Sequence, residues 1–353
     1  MRVIGLMSGT SLDGVDAAWL ETDGITVHRF GPSLTLPYEP TLRADLRKIL
    51  ESAEKLDEAD PVLLHAVARL TERHAEAVAA LDCPADLIGF HGQTILHRPK
   101  CGRTWQVGDA ALLARLTGLP VAFDFRSADV AAGGEGAPLA PVFHAALARE
   151  LRRPLAVLNI GGVANVTWIG PDRFVAFDTG PGNALLDDWA ARHTGEPCDR
   201  NGALARVGRM NRAVLERLLA HPYFARPGPK SLDRLDFARA LAASGVEAVS
   251  AEDGAATLVA FTAEAVARAP LPARPVRWLV SGGGRRNPAI MEALRRALAA
   301  PVEPVEAVGW DGDALEAQCF AFLAARVVAG LPLTFPTTTG VPAPLPGGRI
   351  QRA

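Results

Sequence analysis

The strongest constraint on the fold is an order of elements that occurs twice along the chain. A short apolar strand, a glycine-rich turn and two further strands are predicted over residues 3–29, and the same order is predicted over residues 155–177. The two segments agree in plan and not in residue identity, which indicates a distant internal duplication. We therefore expect an α/β protein with two domains, residues 1–130 and residues 131–353.

Helices and single strands are predicted between these segments. Apolar residues at helical spacing predict the helices 41–50, 61–81, 110–116, 184–194, 203–219, 235–243, 252–267, 288–299 and 314–329. Short apolar runs predict the strands 87–90, 120–124 and 278–280. We expect the final helix to pack back on the first domain and the residues after it to be irregular.

The boundary between the domains is expected in residues 128–141. This stretch contains Gly133-Gly134-Glu135-Gly136, which is too rich in glycine for regular structure. A cleft between the domains would be the natural ligand site. A flexible linker is the alternative interpretation of the stretch.

Composition narrows the class of partner. The chain has 353 residues, 49% of them hydrophobic, and a formal net charge of -2 without blocks of like charge. These values disfavour nucleic acid and membrane partners and leave a small ligand. The four cysteines are far apart and form no zinc motif, which is consistent with a reduced, cytoplasmic setting.

Residues 5–16 read Gly-Leu-Met-Ser-Gly-Thr-Ser-Leu-Asp-Gly-Val-Asp and look like a turn that holds phosphate. Its glycines let backbone N–H groups approach an anion, and its hydroxyls add donors. A P-loop is disfavoured because Val15 and Asp16 stand where that motif needs Lys and then Ser or Thr. Asp13 and Asp16 could reach a metal ion, directly or through water. An ordinary hairpin turn is the alternative.

Two further glycine turns follow apolar strands. Residues 159–165 contain Gly161 and Gly162, and residues 281–287 contain Gly282, Gly283 and Gly284. Each turn alone is better explained by structure than by function. Three such turns together favour one nucleotide, with phosphates at the second turn and a flat purine against the third.

Asp178 opens the sequence Asp-Thr-Gly-Pro-Gly-Asn, directly after the predicted strand 174–177 and before a helix. A carboxylate at the end of a strand is well placed to act as a general base. On residue type alone, an aspartate that caps the helix or stabilises a turn is the more common case.

Other polar residues are candidates for contacts with a substrate. Residues 91–94, with His97, could contact a sugar, since the two histidines are too far apart in sequence for a zinc site. Arg126 could bind a carboxylate through two hydrogen bonds, and a structural salt bridge is the alternative. Asp311, Asp313 and Glu316 precede or begin the last helix, where capping of the helix dipole is sufficient to explain them.

Taken together, these motifs resemble the 1,6-anhydro-N-acetylmuramate kinase family, within the superfamily of sugar kinases, actin and heat-shock ATPases. The resemblance covers nearly the whole chain and is carried by residues 5–16, 91–94, 106–109, 125–141, 159–165, 177–183, 221–224, 281–288 and 313–316. It implies two domains of the ribonuclease-H-like, actin-like ATPase fold with ATP in the cleft between them.

The resemblance also implies a reaction and its residues. The family opens the 1,6-anhydro ring of its sugar with water while it phosphorylates O6, which serves cell-wall recycling. Asp178 matches the catalytic aspartate, Mg²⁺ would neutralise the phosphates with Asp16 as a candidate contact, and Gln93, Arg126 and Glu316 are candidate sugar contacts. The ATP-binding segment matches Gly9, Thr10, Ser11, Leu12, Asp13, Gly14, Val15 and Asp16.

Two departures from the family pattern concern peripheral contacts. Glu135 stands where the family usually has Gln, and Leu232-Asp233-Arg234 replaces the usual Thr-Gly-Arg. A plain sugar kinase that consumes no water and a nucleotide-gated binding module like actin are the alternative functions. The oligomeric state is open, with a homodimer as one candidate.

Overall fold

The computed structural model of the chain describes residues 1–9, 11–232 and 237–353, which form two compact units. The first unit is Met1–Arg149 with Ala314–Ala353, and the second is Glu150–Asp313. The predicted domain boundary at residue 130 stays a prediction. Among the described residues, no helix has the length and apolar character needed to cross a bilayer.

Both units contain strands and helices. The strands are β1 (Arg2–Ser8), β2 (Gly14–Thr22), β3 (Val27–Pro37), β4 (Leu87–Arg98), β5 (Arg103–Val107), β6 (Val121–Phe123), β7 (Leu155–Ile160), β8 (Val163–Ile169), β9 (Phe174–Pro181), β10 (Trp278–Ser281), β11 (Val302–Pro304) and β12 (Arg349–Gln351). The helices are α1 (Pro40–Ser52), α2 (Pro61–Leu81), α3 (Ala110–Thr117), α4 (Ser127–Ala131), α5 (Pro141–Leu147), α6 (Ala184–Thr194), α7 (Ala203–Val207), α8 (Arg212–Leu219), α9 (Ala238–Ala243), α10 (Ala251–Ala267), α11 (Pro288–Ala297) and α12 (Leu315–Val328).

The two sheets share one topology. In the first unit the strand order is β12-β6-β4-β1-β2-β3, with β5 paired to β4, and in the second it is β11-β10-β7-β8-β9. In each sheet, three antiparallel strands in sequence are followed by two strands parallel to the first of them, β4 and β6 in one sheet and β10 and β11 in the other. The first sheet adds β5 and β12, which pair antiparallel with β4 and β6. This is the strand order of the ribonuclease-H-like, actin-like ATPase fold, and it confirms the predicted α/β class with two such units.

Several elements agree with the prediction to the residue because their ends carry clear signals. α2 begins at Pro61, directly after Asp60, whose side chain accepts hydrogen bonds from Val62 N and Leu63 N. It ends before Asp82, which adopts a left-handed conformation. Aspartate before proline is a typical helix start, and a left-handed residue is a typical stop.

One predicted helix is wrong. Residues 203–219 form two helices, α7 and α8, with a break between Val207 and Arg212. Within the break, Arg209 N donates to Asp253 Oδ1 (2.7 Å) and Asn211 N donates to Thr257 Oγ1 (2.9 Å). Side chains of α10 therefore satisfy backbone groups that a continuous helix would have satisfied itself.

Three strands were not predicted, namely β5, β11 and β12. β11 and β12 have three residues each, and β12 lies in the C-terminal segment that was expected to be irregular. β12 pairs antiparallel with β6. Three residues are too few for an alternating pattern, so the pairing partner and not the local sequence specifies these strands.

Two glycines let α12 lie directly on the first sheet. Gly5 of β1 and Gly89 of β4 are register partners in neighbouring parallel strands. A Cβ on Gly5 would lie 1.8 Å from Ala317 O, and a Cβ on Gly89 would lie 2.1 Å from Phe320 O. The backbone of α12 thus occupies the volume that side chains at these two positions would need.

We expect Gly89→Ala to destabilise the protein far more than Gly118→Ala. The first substitution forces α12 away from the sheet and should cost about 3 kcal/mol. In the second substitution the new Cβ meets open space, but residue 118 has a left-handed conformation, so the loss of stability should be about 1 kcal/mol. Thermal unfolding followed by circular dichroism measures both, and equal midpoints for the two variants would contradict the direct packing of α12.

Candidate active site

The first glycine turn connects β1 to β2 as part of a hairpin. Leu12 N donates to Gly9 O (3.1 Å), and Leu12 has a positive φ of 56° with its side chain buried. Asp13 is exposed and pairs with Arg43 of α1 (3.0 Å). The turn is therefore anchored at both ends of the stretch 9–13, while Thr10 lies outside the described residues. Whether the turn binds phosphate stays a prediction.

The side chains after this turn divide between core and surface. Val15 is fully buried in the core of the first unit, so only its backbone is available to a ligand. Asp16 is half-buried, and its Oδ1 accepts a hydrogen bond from Thr35 Oγ1 (2.6 Å). Of these two residues, Asp16 alone can offer a side chain to a metal or phosphate site.

Gln93 belongs to a buried hydrogen-bond chain that the sequence did not reveal. It lies inside β4, which continues to Arg98 and is longer than predicted. Tyr38 donates to Ser8 Oγ (2.6 Å), and Ser8 donates to Gln93 Oε1. The Gln93 side chain is fully buried, so the described contacts give it a role in holding the end of β1.

Arg126 is held by two hydrogen bonds. Its Nε donates to His91 Nε2 (3.1 Å), and its Nη1 donates to Gly136 O (2.8 Å). Burial lowers the pKa of Arg126 to about 10, so it stays charged at neutral pH. Burial also lowers the pKa of His91, with Arg126 adding to the effect. A neutral His91 with its proton on Nδ1 can donate to Gly92 O (2.8 Å) and accept from Arg126.

The structure brings three of the candidate residues into electrostatic interaction. Glu316 lies in the first turn of α12 and keeps contact with solvent. Desolvation raises its pKa, the negative charge of Asp16 raises it further, and Arg126 opposes the shift. Asp16, Arg126 and Glu316 thus form one charged cluster in the first unit.

In the second unit, the two glycine turns meet. The turn at Gly161 and Gly162 joins β7 to β8, and its carbonyls accept hydrogen bonds from Asn183 N (2.7 Å) and Gly182 N (3.0 Å). A Cβ on Gly282, which has a φ of 74°, would lie 2.4 Å from Asn159 Oδ1. Only glycine fits at residue 282, where the third turn approaches the end of β7.

The acidic residues before α12 behave differently from the prediction. Asp313 does not cap the helix, since its carboxylate pairs with Arg285 (2.8 Å) and with Arg286. Arg285 also donates to Gly282 O (3.0 Å). These contacts tie the third glycine turn to the end of the second unit.

Asp178 lies within β9 and not at its end, because the strand continues to Pro181. It also does not cap α6, whose N-cap residue is Asn183. Its Oδ2 accepts a hydrogen bond from Leu232 N (2.8 Å), and its own N–H donates to Lys230 O (3.0 Å). Backbone groups of the segment 230–232 therefore hold Asp178 in place by hydrogen bonds.

Lys230 is a buried cation near this aspartate. Its Nζ donates to Tyr223 O (3.1 Å) and lies 4.4 Å from the centre of the Tyr223 ring. Burial lowers the pKa of Lys230, Arg226 lowers it further, and Asp178 opposes the shift. The Tyr223 hydroxyl donates to Asp178 O (2.6 Å), so residues 223 and 230 support the same carboxylate-bearing strand.

Comparison with known proteins decides the family. The family model for anhydro-N-acetylmuramic acid kinase matches residues 1–351. The chain is 65% identical to the enzyme of that name from Acidiphilium cryptum, over 100% of this chain and 98% of the relative. It is 59% identical to that of Paramagnetospirillum magneticum, over 99% of both chains, and 52% identical to that of Rhodopseudomonas palustris strain CGA009, over 100% of this chain and 99% of the relative.

The chain belongs to the anhydro-N-acetylmuramic acid kinase family. The family predicted from the sequence motifs is thereby confirmed. Of the two departures from the anhydro-N-acetylmuramic acid kinase pattern, the one at Leu232 keeps the contact with Asp178, because the backbone N–H makes it. Asp233 and Arg234 lie outside the described residues. The other departure, Glu135, donates its backbone N–H to Thr339 O (2.7 Å), a bond that glutamine would also form.

The sequence did not indicate the residues that act indirectly, by holding candidate site residues in place. Three residues hold a candidate site residue or the loop beside it, namely Tyr38, Lys230 and Asp129. Lys230 carried the one available signal, since the chain has only four lysines and this one lies two residues before the departure at Leu232. Tyr38 and Asp129 are brought to the site by the fold alone.

Replacing Leu232 by proline removes the N–H that donates to Asp178. With the catalytic role that the sequence predicts for Asp178, the loss of one hydrogen bond to its carboxylate should lower kcat about 10- to 100-fold. Leu232→Thr keeps the N–H and should stay within about threefold of the wild type. ADP release under saturating substrates measures both variants, and similar losses in the two would rule out the backbone contact as the cause.

Proposed function

We propose that this protein is an ATP-dependent anhydro-N-acetylmuramic acid kinase. Water opens the 1,6-anhydro ring, O6 is phosphorylated, and the products are N-acetylmuramate 6-phosphate and ADP. The observation that supports this most strongly is the family match over residues 1–351. The reaction belongs to peptidoglycan recycling and amino sugar catabolism, and we place it in the cytoplasm, where ATP is available.

We assign Asp178 as the general base. It accepts a proton from water while the water oxygen attacks C1, and the bond between C1 and O6 breaks. The electron pair passes to O6, which attacks the γ-phosphorus, and ADP leaves with the bridging oxygen. The bond from Leu232 N to Oδ2 supports this assignment because it orients the carboxylate.

We assign the glycine turns to the nucleotide. Gly9, Thr10, Ser11, Leu12, Asp13, Gly14, Val15 and Asp16 are proposed for the phosphates, together with Gly161 and Gly162. Gly282, Gly283 and Gly284 are proposed for the purine. The contact of residue 282 with the end of β7 supports a shared role for the two turns of the second unit.

The acidic residues near the first glycine turn fit a Mg²⁺ ion that is bound mainly by phosphates and water. The described residues contain no group of three or more His, Cys, Asp or Glu side chains that could hold a metal. Mg²⁺ in phosphoryl-transfer sites needs only one or two carboxylates besides the phosphates, and we propose Asp16 for that role. The ion would supply charge neutralisation at the transferring phosphoryl group.

We propose Arg126, Glu316 and Gln93 for the sugar. Arg126 supports the assignment best, because its charge persists in a half-buried position and two of its nitrogens are already held by the protein. A guanidinium of this kind suits the carboxylate of the muramic acid lactyl group. Gln93 would act through its position beside Ser8. We also propose a homodimer as the first assembly to test, by sedimentation velocity.

Water consumption distinguishes this reaction from plain sugar phosphorylation. With MgATP and the anhydro sugar in ¹⁸O-labelled water, we expect one ¹⁸O at C1 of the product and none in the phosphate, by mass spectrometry. Unlabelled product incubated in labelled water for the same time corrects for exchange at C1. ADP release without ¹⁸O at C1 would instead support a plain kinase, and ADP release independent of sugar would support a nucleotide-gated module.

Asp178→Asn keeps the shape of the side chain and removes its basicity. We expect turnover to fall by about 10³-fold or more, since a positioned base contributes about 10²- to 10⁴-fold. The Kd for ATP, measured by calorimetry, should change by less than about threefold. Asp172→Asn, in the exposed turn between β8 and β9, is the matched control. Substantial turnover by Asp178→Asn would exclude it as the base.

A further inference from the structure

The C-terminal segment after α12 reaches a buried aspartate near Arg126. Thr339 is fully buried, and its Oγ1 donates to Asp129 Oδ2 (2.6 Å). The other carboxylate oxygen, Asp129 Oδ1, accepts from Gly136 N (2.6 Å). Both oxygens of a buried carboxylate are thus engaged, one by the C-terminal segment and one by the glycine-rich stretch 133–136.

The same stretch receives Arg126. Gly136 donates its N–H to Asp129 and accepts from Arg126 Nη1 with its carbonyl. Arg126 Nε is bound to His91. Within residues 1–9, 11–232 and 237–353, the hydrogen bonds of Arg126 involve Nε and Nη1, which leaves the N–H groups of Nη2 for a ligand.

Asp129 is the natural competitor for those N–H groups. Its negative charge acts on Arg126 and favours the charged guanidinium. A carboxylate and a guanidinium form stronger hydrogen bonds than a carboxylate and a hydroxyl, and they often pair through two N–H groups. If Oδ2 lost its donor, the burial of an unsatisfied oxygen would be costly, and rotation toward Arg126 would relieve that cost.

We propose that Thr339 is a positioning residue for Arg126. The Thr339 hydroxyl holds Asp129, so that the Arg126 guanidinium stays available to the sugar carboxylate. The inference rests on the proposed function for the role of Arg126. It extends that function to the C-terminal segment, in which none of the proposed catalytic or binding residues lies. The backbone bond from Glu135 N to Thr339 O (2.7 Å) fixes the two segments side by side.

Thr339→Val removes the hydroxyl at nearly constant volume. We expect the KM for the anhydro sugar to rise about tenfold, which corresponds to about 1.4 kcal/mol, with kcat and the KM for ATP within about twofold. Thr339→Ser keeps the hydroxyl and should restore the KM. If the valine variant does not fold, Thr339→Ala takes its place in every comparison.

Thr338→Val is the matched control. Thr338 is also buried, but its hydroxyl bonds only to the backbone of Phe335 among the described contacts (3.2 Å from N and 3.1 Å to O). Its sugar KM should stay within about twofold of the wild type. Equal increases in the two valine variants would show a general loss of structure and overturn the proposal, as would an unchanged KM in Thr339→Val.

Two double variants test the route through Asp129 and Arg126. Asp129→Asn combined with Thr339→Val should bring the sugar KM back toward the wild-type value, because a neutral amide does not capture the guanidinium. In an Arg126→Gln background, Thr339→Val should cause no further rise in the sugar KM. Independent effects in the second cycle would overturn the proposal.

Failure of the proposed function gives a different result. If the wild type releases no ADP with the anhydro sugar, or if Arg126→Gln leaves the sugar KM unchanged, the role of Arg126 is wrong. A crystal structure of Thr339→Val provides a readout that does not depend on turnover. An Asp129 oxygen within hydrogen-bond distance of Arg126 supports the proposal, and an Asp129 that keeps its wild-type position overturns it.

Discussion

The contact of α12 with Gly5 and Gly89 is the constraint on which the first unit depends. Two neighbouring strands both lack a side chain at the same register position, so a helix backbone can lie against the sheet. The helix face that makes this contact carries alanines, at 317, 321 and 324. Because Glu316 is in the first turn of the same helix, the packing of these small residues also sets where its carboxylate lies.

Charge balance in the first unit follows from that placement. Asp16 and Glu316 repel one another, and Arg126 attracts Glu316 by its charge. Burial lowers the pKa of Arg126 to about 10, so the guanidinium stays positively charged at neutral pH, while the pKa of Glu316 is raised. A charged cluster with solvent access at Glu316 can respond to a bound anion or cation, which is the property that a site for a charged sugar and a nucleotide needs.

The sequence predicted the elements that carry periodicity or end signals. The meander of β1 to β3, the repeated series of β7 to β9 and the helix α2 follow from alternating or helical apolar patterns. The break between α7 and α8 and the pairing of β12 depend on partners far along the chain, so local pattern could not reveal them. The predicted strands were also too short, so Asp178 and Gln93 were placed at strand ends, whereas both lie inside strands. The partners Tyr38 and Thr339 come from distant parts of the chain and were not predicted.

The two units hold their key polar groups in different ways, and this affects which substitutions they tolerate. Asp178 is held by backbone groups at 230 and 232, so the side chain at 232 can change without loss of the contact. Arg126 is held by Gly136, whose position depends on the side chains of Asp129 and Thr339. A backbone contact survives most substitutions except proline, whereas a hydroxyl that holds a buried carboxylate can be replaced only by serine. Variation should therefore be wide at residue 232 and narrow at residue 339.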